Sequence, residues 1–189
     1  SITFRPSQSF PDGTDIQVST VTARSNPYPI SIVNVVSDDP FSHLQSHLLS
    51  HRISDAWGES KGKGITVAII DSGFDTNHQE FAGRIWQNTK EIRGNKKDDD
   101  ANGYVDDING WNFVSDSPEL TPLSQHGTAV AGVIGAALNN RVGVAGVAPN
   151  ATLMSLIVSG PDGRIKGEDV GQAIRYATDH GAHIINLSM

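Results

Sequence analysis

The run Ile65-Thr66-Val67-Ala68-Ile69-Ile70-Asp71-Ser72-Gly73 decides the fold. Up to Ile70 it is apolar or β-branched without alternation, as expected of a strand covered on both faces of a parallel sheet. Asp71 ends the run. Ligands and catalytic groups gather at the carboxyl ends of strands in open α/β sheets, so a carboxylate there carries more weight than one on an arbitrary loop. The plain alternative is an Asp that caps the turn Asp71-Ser72-Gly73. Downstream, His126-Gly127-Thr128-Ala129-Val130-Ala131-Gly132 opens a helix-compatible run to Leu138, with Val130, Val133, Ile134 and Ala137 at helical spacing. An imidazole and a carboxylate are two of the three parts that activate a hydroxyl nucleophile.

Working outward, Thr152 to Val158 reads as the next buried strand. Glu168 to His180 reads as a helix with Val170, Ala173, Ile174 and Ala177 on one face, acids at its start and Gly181 after it. His183 to Ser188 begins a further strand. This alternation predicts an α/β fold, a parallel sheet with helices on both faces. Residues 1–36 differ. Ile2-Thr3-Phe4, Ile16-Gln17-Val18 and Ile30-Ser31-Ile32-Val33 are short β-type runs between Pro11-Asp12-Gly13 and Asn26-Pro27-Tyr28-Pro29. They form a β-rich extension: the end of an immunoglobulin-like domain, the end of a pro-segment, or a linker. The catalytic-type unit is placed at 37–189.

Composition narrows the classes. Fourteen basic against twenty-one acidic residues give a net charge of −7, which argues against nucleic acid and anionic membranes. No apolar stretch is long enough to span a bilayer. With no cysteine, disulfides and thiolate metal sites are excluded, and the compartment is not readable from redox chemistry. A start at Ser1 and a stop at Met189 inside a strand pattern are expected of an excerpt from a longer protein.

The acid is clustered. Asp98, Asp100, Asn102, Gly103, Tyr104 and Asp106 take positions one, three, five, six, seven and nine of an EF-hand-type loop, and hard oxygen ligands in that pattern suit calcium. Position twelve is Asn109 rather than a bidentate Glu, so the copy is partial, and a solvated acidic turn is the rival. His43, His47 and His51 would share a helix face, a geometry open to zinc, although no Glu follows in an HExxH arrangement.

From about Asp38 to Met189 the chain resembles the subtilisin-like serine proteases, the subtilases. Three blocks carry the resemblance in order: Val67 to Gly73, Gln125 to Gly132, and Gly143-Val144-Ala145-Gly146-Val147-Ala148-Pro149; Ile184 to Met189 resembles the strand beside the substrate. The resemblance implies a truncated subtilisin-like fold and a serine endopeptidase that is secreted or extracellular. In it His126 is general base and then general acid, and Asp71 orients the imidazole. It implies that Gly163, Arg164, Ile165, Ser188 and Met189 pair with an extended polypeptide substrate by strand addition. It also implies a second calcium loop, with carbonyls of Leu138, Val142 and Val144, the Asn140 side chain, and Glu80 where the family usually has an aspartate. The family nucleophile lies in a Gly-Thr-Ser-Met-Ala segment preceded by an oxyanion asparagine, and neither occurs before Met189. The remaining C-terminal part of the catalytic domain is therefore an expected partner, and the chain alone is expected to be inert. The alternatives are a pseudoprotease or binding module, and a phosphatase using Asp71 and Asp75, whose spacing is too wide for that chemistry.

Overall fold

The computed structural model describes residues 37–189, so the β-rich extension read over residues 1–36 lies outside the described residues. After a tight turn at Ser42–Leu44 come two short helices, α1 (Ser46–Ser50) and α2 (Ile53–Glu59). Arg52 between them has φ 55°, which breaks the helix. His43, His47 and His51 therefore do not lie along one continuous helix, and among the described residues they form no three-ligand group.

The body of the fold runs β1 (Thr66–Asp71), β2 (Gly110–Asn112), α3 (Gln125–Gly135), β3 (Thr152–Ile157), α4 (Gly167–Asp179) and β4 (Ile184–Leu187). The strands form one parallel sheet in the order β2-β3-β1-β4. The layering follows from β1. Val67 and Ile69 pack with Phe74, Phe81, Leu153 and Ala131 of α3, whereas Ala68 and Ile70 pack with Met154, Leu156 and Ala173, Tyr176 and Ala177 of α4. Each face is closed by a helix, so consecutive positions must be apolar, and each large side chain so buried is worth about 1.5–3 kcal/mol. The same alternation puts Asp71 on the α3 side.

Three features depart from the sequence reading. α3 stops at Gly135 rather than Leu138, because Ala136 turns out of the helix with ψ 146° and Ala137 N–H donates to Glu80 O. The half-buried Arg84 guanidinium then closes the helix end by donating to the carbonyls of Gly135 and Glu80. Burial lowers its pKa below the usual range, against the opposing charge of Glu80. On α4, Tyr176 is buried and Ile174 is exposed, the reverse of an apolar-only reading. Strand β2 was hidden in a turn-rich stretch. It pairs with β3 through Gly110, where φ is 134° and a Cβ would sit 1.8 Å from Ser155 O, so only glycine fits. At the far side, β4 hydrogen-bonds to β1 alone among the described residues, with Ile184 and Leu187 about half exposed.

Candidate active site

Asp71 closes β1 with its side chain 2% exposed. Its Oδ1 accepts from Ser72 N–H (2.7 Å) and Ser72 Oγ (3.1 Å) and lies 2.9 Å from His126 Nδ1. Its Oδ2 is buried with no hydrogen-bond partner among the described residues. His126 is the second residue of α3, and Ser124 caps that helix by accepting the His126 N–H at 3.2 Å. The helix can come this close because position 127 is glycine: a Cβ there would lie 2.1 Å from Gly73 O and 3.2 Å from Asp71 Oδ1. Thr128 Oγ1 accepts from Asp75 N–H at 3.0 Å and pins the turn that leaves β1.

An ionised carboxylate only accepts, so His126 Nδ1 carries the proton and Nε2 keeps a lone pair. The His126 side chain is 57% exposed. All strands run the same way, so the segments after β3 and β4 emerge at the edge of the sheet that bears Asp71, which pairs with Ile157, while Ile70 pairs with Leu187. Gly163, Arg164 and Ile165 lie on an exposed hairpin turn in which Gly160 N–H donates to Arg164 O and Ser159 bridges Ile165. Ser188 hydrogen-bonds Asn186, and Met189 is exposed beside it.

The acidic loop is organised from within. Glu91, Asp98 and Asp100 bring one carboxylate oxygen each to within 4.8 Å of one another. Glu91 accepts from the N–H groups of Asp99, Asp100 and Asp106. The Asp98 carboxylate accepts from Gly103 N–H and Asn102 N–H, and these bonds, Gly103 first, hold its pKa below the usual carboxylate range. Asp100 Oδ1 is buried and has no hydrogen-bond partner among the described residues. Asp106, the remaining acid of the EF-hand pattern, is not in this group. Asp106 accepts from Gly94 and Lys96 N–H, the Asn102 amide nitrogen donates to Asp107, and the Tyr104 ring packs on Trp111 and Tyr176. Glu91 escaped the sequence reading because it lies upstream of the pattern.

Beneath this loop Asp107 is fully buried and bonded to Tyr176 Oη (2.5 Å), Asn88 Nδ2 (2.9 Å) and Asn102 Nδ2 (3.0 Å). Burial, then the bond to and charge of Asp107, push the Tyr176 phenol far above its ordinary range. A raised folded-state pKa gives stability that is complete below the unfolded value of about 10 and is lost as pH rises past it. The melting temperature is therefore expected to drop above about pH 10, and less steeply in Tyr176→Phe. Parallel alkaline melting curves would refute this.

At the other loop, Glu80 accepts from Asn140 Nδ2 (2.9 Å) and Val144 N–H (3.3 Å), while Asn140 Oδ1 accepts from Val142 N–H. Asp39 accepts from the N–H groups of Asn139, Asn140 and Arg141. Hydrogen donors thus face both carboxylates, as they face Glu91 and Asp98 in the acidic loop.

Sequence comparison agrees with this geometry. The chain is 38% identical over 157 residues to subtilisin-like protease 1 of Plasmodium falciparum (isolate 3D7), covering 80% of this chain and 22% of that protein. It is 30% identical over 153 residues to thermitase of Thermoactinomyces vulgaris, covering 81% of this chain and 47% of that protein. Among solved structures, MycP1 with its N-terminal propeptide removed superposes with TM-score 0.52 at 25% identity, over 73% of this chain and 35% of that one. The chain thus spans less than half the length of these relatives. The model of the subtilase family, Peptidase_S8, matches residues 62–189, and the chain belongs to that family.

Proposed function

We propose that this chain supplies the general base and its orienting carboxylate to a secreted serine endopeptidase, whose nucleophile comes from a part of the protein beyond Met189. The observation that carries the reading is the 2.9 Å contact between His126 Nδ1 and the buried Asp71 Oδ1 at the carboxyl edge of β1. In the reaction, Nε2 takes the serine proton as the hydroxyl attacks the scissile carbonyl and returns it to the leaving amine. Asp71 fixes the tautomer and stabilises the imidazolium. An extended polypeptide adds between the Gly163-Arg164-Ile165 turn and Ser188-Met189, held by main-chain bonds. No helix among the described residues is long and apolar enough to cross a membrane.

A fluorophosphonate probe tests the assignment. The protein that carries this chain is expected to be labelled on a serine after Met189, and the 189-residue chain alone to stay unlabelled. A labelled serine within residues 1–189 would overturn the division of the triad. An unlabelled, inactive full-length protein would favour a scaffold that only binds.

Calcium is proposed at Glu91, Asp98 and Asp100, because a buried unpartnered oxygen of Asp100 completes a cluster of hard acceptors. When bound, the ion would neutralise this acidic loop and hold it folded. Calcium at about 100 times its Kd adds about 2.7 kcal/mol of stability by mass action. The melting temperature should rise with calcium, fall with chelator, and cease to respond in Glu91→Gln. Indifference of the wild type to chelator removes the claim.

A further inference from the structure

We propose that Ser124 is a positioning residue for the Asp71–His126 pair, acting through the hydroxyl of Ser72; only its kinetic test rests on the peptidase reading of that pair. Four hydrogen bonds close a ring that begins and ends on His126. The His126 N–H meets Ser124 Oγ (3.2 Å), Ser124 Oγ meets Ser72 Oγ (2.7 Å), Ser72 Oγ meets Asp71 Oδ1 (3.1 Å), and Asp71 Oδ1 meets His126 Nδ1 (2.9 Å).

The protons in this ring have one consistent arrangement. Asp71 Oδ1 can only accept, so Ser72 spends its single O–H there. Ser72 Oγ also accepts from Gly127 N–H at 3.3 Å, which leaves one lone pair, and that lone pair takes the Ser124 O–H. Ser124 in turn accepts from His126 N–H. Every dipole in the chain of hydroxyls then points toward Asp71 Oδ1, the oxygen that holds the imidazole, and each donor polarises the next. Asp71 Oδ2 has no partner among the described residues, so the orientation of the carboxyl group rests on what converges on Oδ1. Without the Ser124 hydroxyl, Ser72 Oγ keeps Gly127 N–H as its one donor, and its bond to Asp71 Oδ1 is no longer polarised from behind, which weakens one of the two Ser72 bonds that keep Oδ1 facing the ring.

Ser124 has a second task as helix cap, and the two tasks separate by choice of variant. Alanine removes both hydroxyl and cap, glycine removes the hydroxyl but is nearly as good a cap as serine, and threonine keeps both. In the full-length protein, Ser124→Ala and Ser124→Gly are expected to lower kcat about tenfold, what one neutral hydrogen bond is worth, while Ser124→Thr restores it. KM should change by less than about twofold in all three. In the same full-length protein, the His126 Nδ1 proton should exchange with water about tenfold faster in Ser124→Gly, read from its NMR line width, and at the wild-type rate in Ser124→Thr. Wild-type exchange and wild-type kcat in Ser124→Gly would overturn the proposal. Faster exchange in a protein devoid of peptidase activity would support it while removing the peptidase reading alone.

Discussion

Replacing His126 with alanine in the protein that carries this chain is expected to cut kcat on the order of a million-fold, a magnitude taken over from subtilisin rather than from this geometry, with KM little changed. The reason lies at two atoms. Nδ1 is committed to Asp71 at 2.9 Å, so the lone pair on Nε2 is the base available to a hydroxyl delivered to this edge of the sheet. On the proposed reading, alanine removes the acceptor of the serine proton and the donor to the leaving amine together, while the segments after β3 and β4 stay in place. The fold should survive, because the imidazole is 57% exposed and contributes little buried surface. A variant that kept more than about a hundredth of the wild-type kcat would show that another group does this work.

Asp107→Ala should have the largest effect on stability. The carboxylate is fully buried and takes hydrogen bonds from Tyr176, Asn88 and Asn102; alanine strips the Tyr176 hydroxyl of its acceptor and costs the two amides one bond each, leaving Asn88 on Asp100 and Asn102 on His180. The loss should be on the order of 3 kcal/mol or more. For a unit of this size that lowers the melting temperature by roughly 10 °C. Asp106→Asn is the control one residue away, because among the described residues the Asp106 carboxylate bonds to exposed amides at Gly94 and Lys96, and asparagine tolerates its φ of 58°. If the two variants melted together, the buried network would not be what secures the 88–107 loop to α4.

The strand-to-helix alternation was legible in the sequence because it rests on local, periodic signals, whereas the pairing of Asp71 with His126, 55 residues apart, was expected from the resemblance to the subtilases. An unbroken apolar run means two covered faces, and the small residues after His126 mean a helix pressed onto a sheet. What escaped depends on partners distant in sequence. Tyr176 sits where an apolar residue would serve, and only the Asp107 carboxylate, 69 residues away, explains its burial. Glu91 joins Asp98 and Asp100 from outside the EF-hand spacing, and Asp106, which fits the spacing, is spent on backbone amides. Strand β2 is three residues long and opens on a glycine, too short for any periodicity to announce it. For the Glu80 loop, one extra methylene carries the carboxylate onto Asn140 and Val144 N–H, a reach that letters alone do not measure.

The unshared side of β4 bears on handling the protein in the laboratory. Its outward amides and carbonyls, flanked by Ile184 and Leu187, are a template on which another copy can crystallise a sheet of its own. Where that side stays open, the chain should clump as its concentration rises, and Ile184→Lys should keep it dispersed without disturbing the imidazole, because residue 184 pairs with Val67, four residues before Asp71.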